Sequence, residues 1–190
     1  MTTAPAILAL AGSTRRASLN RRLLGVAVAA ARDAGAAVTV VDLRDYPLPL
    51  YDGDLEAEQG VPAAARALRD LFVAHGALLL ASPEHNASIA AALKNAIDWI
   101  SRPDGDVPGG VAFRRKVAAL LAASPGALGG LRALLRASLE GLGALVLPEQ
   151  FALGRAHEAW DDAGALKDPR QQAGVAAVAR HLVEVSARLA

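Results

Sequence analysis

Short segments that are apolar on both faces recur along this chain and alternate with longer segments of helical periodicity. The segments AILALA (6–11) and GALLLA (76–81) carry no polar side chain, and RKVAALLAA (115–123) is apolar after its first two residues. A strand without a polar face has to be covered on both sides, as in a parallel sheet between two layers of helices. The alternation therefore predicts a three-layer α/β fold with a parallel sheet of five strands.

The predicted strand order is 2-1-3-4-5, with helices on both faces of the sheet. Residues 44–62, rich in proline and glycine, are predicted to form a loop, and the whole chain, 1–190, a single domain. The predicted strands are 6–11, 37–43, 76–81, 115–123 and 143–147, and the predicted helices are 19–34, 62–75, 87–101, 130–140 and 169–189.

Composition excludes several classes of function. The chain contains no cysteine, which rules out disulfides, thiolate nucleophiles and cysteine-ligated metals, and its histidines lack metal-ligand spacing. A formal net charge of +1 and the lack of a basic stripe argue against a nucleic-acid partner. The sequence shows neither a signal peptide nor a membrane-spanning run, so we expect a cytoplasmic protein without a membrane partner.

Three loops of unusual composition follow the first, third and fourth predicted strands. They are GSTRRASLN (12–20), SPEHNASI (82–89) and SPGALGG (124–130). In an open parallel sheet these loops meet beyond the carboxyl ends of the strands, where ligands bind. Each loop also has a simpler interpretation: a cap by Ser18 or Asn20, a cap by Asn86 or Ser88, and a tight glycine turn.

The first loop has the composition of a phosphate site. It combines hydroxyl groups and an arginine with the start of a helix, where N–H groups and the helix dipole attract anions. Neither the dinucleotide fingerprint nor the P-loop motif is present. The terminal phosphate of a mononucleotide fits this loop better than a bridging pyrophosphate, and its ring would lie between the second and third loops.

These motifs resemble those of the NADPH-dependent FMN reductase family, which includes quinone, chromate and azo-dye reductases. The first loop is similar to the family pattern G-S-x-R-x-x-S-x-N, SPEHNASIAAALKNAIDWIS (82–101) to P-E-Y-N-x-S-x-x-x-x-L-K-N-A-I-D-W, and SPGALGG to S-x-G-x-x-G-G. The resemblance covers nearly the whole chain. It implies a flavodoxin-like fold, non-covalent FMN, NADPH or NADH as hydride donor, and a homodimer or homotetramer.

The resemblance also implies a role for individual residues, with the flavin rather than a catalytic side chain or a metal carrying the chemistry. The phosphate would be held by Ser13, Arg15, Ser18 and Asn20. One side of the flavin would be lined by Pro83, Glu84, His85, Asn86 and Ser88, and its ring approached by Ser124, Gly126, Gly129 and Gly130.

One departure from the family pattern concerns substrate contact. His85 stands where the family has tyrosine, next to the expected position of the incoming substrate. Histidine keeps a flat ring but changes its polarity, which bears on the acceptor that the site prefers.

The predicted function is an oxidoreductase that passes a hydride from NAD(P)H through FMN to a small acceptor: a quinone, azo compound, chromate or free flavin. An electron carrier of the flavodoxin type is the alternative, and a flavin-free structural subunit is a third interpretation.

On the helix after the second loop, Trp99 is either a core residue or a subunit contact, and Lys94 and Asp98 form a surface pair.

Overall fold

A five-stranded parallel sheet forms the centre of the computed structural model, which describes residues 4–124 and 130–189. The strands of this sheet are β1 (Ala6–Ala11), β2 (Ala37–Asp42), β3 (Ala77–Ala81), β6 (Val117–Ala123) and β7 (Leu145–Leu153). Their order is β2-β1-β3-β6-β7, which confirms the predicted order 2-1-3-4-5. A separate two-stranded hairpin consists of β4 (Glu84–His85) and β5 (Ser88–Ile89).

Six α-helices are found in the described part of the chain, and they cover both faces of the sheet. Alternate residues of β1 enter two different cores: Ile7 packs with α1 and α6, whereas Leu8 packs with α3, α4 and α5. The helices are α1 (Leu19–Asp33), α2 (Gly53–Gln59), α3 (Ala63–Ala74), α4 (Ala91–Ile100), α5 (Gly130–Gly141) and α6 (Pro169–Leu189). Within residues 4–124 and 130–189, none of these helices combines the length and apolar character needed to cross a membrane.

The helix predicted over 87–101 begins later than expected, at Ala91. Asn86 and Ala87 both have positive φ, 52° and 58°, and form the turn of the β4–β5 hairpin. Two left-handed residues in succession suit a hairpin turn and are incompatible with a right-handed helix. The alternative interpretation of Asn86 or Ser88 as a helix cap is therefore wrong, since the N-cap is Ala90.

Two further differences from the prediction are larger than two residues. The last strand was expected to end at residue 147, but β7 continues to Leu153 after a register irregularity opposite β6. The segment expected to be a loop contains α2, because the Asp52 carboxylate accepts hydrogen bonds from the amides of Asp54 (2.8 Å) and Leu55 (3.3 Å). This is ordinary aspartate capping, which the neighbouring glycine and prolines obscured in the sequence.

The segment before α2 is fixed to α4 by hydrogen bonds. The carbonyl of Pro49 accepts from Asn95 Nδ2 and from Trp99 Nε1, each at 2.8 Å, and the Tyr51 amide donates to Asn95 Oδ1 at 2.8 Å. Trp99 is fully buried within this single chain, so the core interpretation of Trp99 is confirmed. The predicted surface pair Lys94–Asp98 is also confirmed, with Nζ 2.6 Å from Oδ1.

An ionic contact extends this attachment to the end of α4. Glu56 accepts hydrogen bonds from Arg102 Nε (2.8 Å) and from the Tyr51 hydroxyl (2.9 Å). These bonds, that from Arg102 foremost, hold the pKa of Glu56 below its ordinary value. Glu56 is therefore ionised at neutral pH, and α2 is held beside α4.

Gly12, where the chain leaves β1, allows the first loop to lie against α4. A Cβ atom at this position would lie 2.9 Å from Leu93 Cδ2 and 3.0 Å from Ser82 Oγ. We expect Gly12→Ala to lower the free energy of unfolding by roughly 1–3 kcal/mol, because both neighbours are held in place. Urea unfolding measures this change.

Gly25→Ala is the matched control for that substitution. Gly25 lies inside α1, and nothing lies within 4 Å of a Cβ atom placed there. This variant should gain about 1 kcal/mol from helix propensity. Equal effects of the two substitutions would show that close packing at Gly12 is unimportant.

Candidate functional site

A cleft of about 550 Å³ lies at the carboxyl edge of the sheet, between the first loop, the β4–β5 hairpin and the start of α4. This is the edge at which the sequence predicts a ligand, and the cleft volume is in the range of cofactor sites. The cleft is lined by Gly12, Ser13, Thr14, Arg15, Ala17, Ser18, Leu19, Asn20, Pro83, Glu84, His85, Ala90, Ala91, Ala92 and Ala123.

Ser18 is the N-cap of α1. Its hydroxyl oxygen accepts from the Arg21 amide at 3.2 Å, so the capping interpretation is confirmed for Ser18. An accepting hydroxyl still carries its own proton, which Ser18 can donate into the cleft. Ser13 Oγ likewise accepts from the Arg15 amide, at 3.3 Å. Accepting these backbone hydrogen bonds is therefore compatible with ligand binding at both hydroxyl groups.

Positive charge accumulates at the N-terminus of α1, where the helix dipole is itself positive. Four arginines lie in residues 15–22, and the first turn of α1 has no acidic side chain. Arg21 is paired with Asp42 (3.1 Å), and the Arg22 guanidinium lies 4.4 Å from the centre of the Trp160 ring. Arg15 and Arg16 are exposed, and Arg15 lines the cleft. Arg15 and the positive end of the helix dipole therefore favour an anion in the cleft.

Asn20 has a partner that the sequence did not suggest. Its buried side chain donates to the carbonyl of Ala123 and accepts from the amide of Ala123, both at 2.8 Å. This pair of bonds ties the start of α1 to the end of β6. One side-chain N–H of Asn20 is left for a ligand. Asn20 therefore links two elements of the fold and is also a candidate phosphate contact.

The second loop contributes part of its predicted residues to the cleft. Pro83, Glu84 and His85 line the cleft, whereas Asn86 and Ser88 are exposed on the hairpin and are not among the lining residues. Glu84 and His85 are successive residues of β4, so their side chains leave the strand on opposite sides.

The third loop is only partly described. Ser124 is buried, its amide donates to the carbonyl of Leu153 (3.0 Å), and its carbonyl accepts from the amide of Ala156 (3.1 Å). Gly126 and Gly129 lie outside the described residues, and Gly130 is the first residue of α5. The structure therefore places the two ends of this loop, at β6 and at α5.

Asp42, at the end of β2, contacts the start of α1 and was not among the predicted site residues. Its carboxylate binds Arg44 (Nη2 to Oδ2, 2.6 Å) as well as Arg21. Hydrogen bonds from Arg44 hold the pKa of Asp42 below its ordinary value, so the carboxylate is ionised. The sequence signal for Asp42 was an acidic residue near the end of a predicted strand.

Comparison with known proteins identifies close similarities. The family model for NADPH-dependent FMN reductase matches residues 5–158. A quinone reductase of Pseudomonas putida is 37% identical over 166 residues, which cover 85% of this chain and 84% of that protein.

Solved structures agree with the family match. The flavoenzyme NAD(P)H:(acceptor) oxidoreductase of Paracoccus denitrificans aligns with a TM-score of 0.78 and 28% identity, covering 97% of this chain and 98% of the other. A flavodoxin from the domain Archaea aligns with a TM-score of 0.65 at 9% identity, covering 95% and 98% of the two chains. At that identity the second likeness shows a flavodoxin-like fold alone.

The left-handed conformation of Ala87 yields a stability prediction. Ala87 has φ of 58°, a conformation that costs an L-residue with a Cβ roughly 1–2 kcal/mol. We expect Ala87→Gly to raise the free energy of unfolding by about 1 kcal/mol, measured by chemical denaturation. Ala29→Gly, at an exposed position inside α1, should instead lower it by about 1 kcal/mol. A loss in both variants would contradict a strained hairpin turn.

Proposed function

Because this chain belongs to the NADPH-dependent FMN reductase family, we propose that its cleft holds FMN and that the protein reduces a small acceptor with electrons from NAD(P)H. A quinone is the acceptor class that the Pseudomonas relative favours. The chain is thus an FMN-dependent NAD(P)H oxidoreductase. The observation that carries the proposal is the cation-rich N-terminus of α1 opening into the cleft.

The residues of the first loop fit a terminal phosphate. Ser13 and Ser18 offer hydroxyl protons, Arg15 offers a guanidinium, and the start of α1 offers backbone N–H groups. The side chain of Asn20 adds one N–H and keeps this loop in register with β6. Charge-assisted bonds from several fixed donors would orient the cofactor as well as bind it.

The second and third loops would enclose the flavin ring. In this proposal Pro83, Glu84 and His85 form one wall, with the exposed Asn86 and Ser88 at its rim. Ser124, Gly126, Gly129 and Gly130 belong to the segment that would approach the ring from the other side. When bound, FMN supplies the redox chemistry, taking a hydride from NAD(P)H and delivering two electrons to the acceptor.

The protein's own contribution is positioning and the exclusion of water. His85 is exposed at the lip of the cleft, where an acceptor would enter. We assign it substrate contact rather than a catalytic role.

Residues 1–190 are proposed to fold as one domain and to act in the cytoplasm as a homodimer or homotetramer. Light scattering measures the number of copies in solution.

An electron carrier of the flavodoxin type has less support. The family model and the Pseudomonas relative are both reductases, and the likeness to an archaeal flavodoxin concerns the fold alone. The formal net charge of +1 also differs from the acidic composition expected of such a carrier.

Anaerobic addition of NADPH to the FMN-loaded protein tests the proposed function. We expect immediate loss of the visible flavin absorption, its return on addition of a benzoquinone, and steady turnover when both are present. Flavin that binds but is not reduced by NADPH or NADH would indicate a carrier. A protein that stays colourless after incubation with FMN would contradict the proposal altogether.

A further inference from the structure

A second pocket, here called the side pocket, adjoins the cleft on the side of β2. It has a volume of about 330 Å³ and shares Thr14 and Ala92 with the cleft as a common wall. A molecule bound at the cleft could therefore continue into the side pocket past these two small side chains. The side pocket is lined by Thr14, Leu43, Arg44, Tyr46, Pro47, Leu48, Ala92, Asn95 and Ala96.

The lining combines one cation with an apolar slot. Arg44 is the charged residue among the described lining residues, and no carboxylate is among them. Tyr46, which is half-buried, lies in the sequence between Arg44 and the apolar residues Pro47 and Leu48, and all four line the pocket together with small residues of α4. A flat aromatic group bearing an anion matches this combination.

The Arg44 guanidinium is oriented by Asp42. Nε lies 3.1 Å from Oδ2, and Nη2 lies 2.6 Å from the same oxygen. Five N–H donors are available on a guanidinium, so donors are left for a further anion. The carboxylate of Asp42 is shared with Arg21, and the nearby Asp45 is exposed and outside the lining. Asp42 thus fixes the direction of Arg44 without occupying all of its donors.

Hydrogen bonds hold the two walls of the side pocket together. The side-chain oxygen of Asn95 accepts from the Tyr51 amide and its nitrogen donates to the Pro49 carbonyl, both at 2.8 Å. These bonds hold the segment that carries Tyr46, Pro47 and Leu48 against α4. A pocket that needs little reorganisation loses less binding free energy on taking up a ligand.

We propose that the side pocket binds the adenosine 2′-phosphate end of NADPH. This inference rests on the proposed function, because the donor's nicotinamide has to reach the cleft. Arg44 would bind the 2′-phosphate, and Tyr46 would pack against the adenine. NADH lacks the phosphate, so the side pocket makes NADPH the preferred donor.

The test compares the FMN-loaded wild-type protein with Arg44→Ala, Arg44→Lys and the control Arg66→Ala. Arg66 is an exposed arginine of α3, 3.5 Å from Asp104 and outside both pockets. Arg44→Ala should lower kcat/KM for NADPH about tenfold, as expected for a lost hydrogen bond to a charged group. It should leave kcat/KM for NADH nearly unchanged, Lys should restore part of the loss, and the control should change neither value.

Calorimetry with 2′,5′-ADP gives a measure of binding that does not depend on turnover. We expect Arg44→Ala to raise its Kd about tenfold and Arg66→Ala to leave it unchanged. Tyr46→Ala should weaken the binding of 2′,5′-ADP and reduce kcat/KM for NADPH and NADH alike, because adenine is common to both donors. Flavin content and melting temperature show that each variant is folded.

An unchanged ratio of kcat/KM for NADPH to that for NADH in Arg44→Ala, with unchanged affinity for 2′,5′-ADP, would overturn the inference. So would a rise in the KM for the quinone alone, which would make the side pocket an acceptor site. Failure of the proposed function gives a different result: neither nucleotide would reduce the FMN of the wild-type protein.

Discussion

The N-terminus of α1 is the constraint on which the surrounding structure depends. Its first amides have no helical partner, its dipole is positive, and the sequence adds arginines without an acidic residue in the first turn. The structure offsets part of this charge by pairing Arg21 with Asp42, and it places the Arg22 guanidinium over the ring of Trp160. Arg15 is left at the cleft, where the phosphate of a cofactor would complete the balance.

The parallel sheet holds the positively charged N-terminus of α1 beside the loops that follow β3 and β6. The Gly12 amide donates to the carbonyl of Ala81 at 2.8 Å, and the Asn20 side chain binds the backbone of Ala123. The first loop is thereby fixed to the ends of β3 and β6, which carry the second and third loops. A rigid edge of this kind can position a flavin and its donor without a catalytic side chain, in keeping with the chemistry of the family.

Much of the fold followed from the sequence because the three inner strands, β1, β3 and β6, are apolar on both faces, a pattern typical of a covered parallel sheet. The β4–β5 hairpin could not be predicted in the same way, since its turn is Asn86-Ala87 rather than the usual Asn-Gly. The first loop was recognisable as a candidate phosphate site from its hydroxyl groups and arginine. The partner of Asn20 lies 103 residues away along the chain, a distance that no local pattern reports. Asp42 and the side pocket likewise depend on tertiary contacts of β2 and α4.

The most direct test of the proposed phosphate site in the first loop compares the affinity of the apoprotein for FMN with its affinity for riboflavin. Both affinities are measured by quenching of flavin fluorescence. Riboflavin has the same ring and ribityl chain but lacks the phosphate. If the first loop is built for that phosphate, FMN should bind at least about 100-fold more tightly, because several charge-assisted hydrogen bonds are lost with riboflavin. Equal dissociation constants for the two flavins would contradict the account.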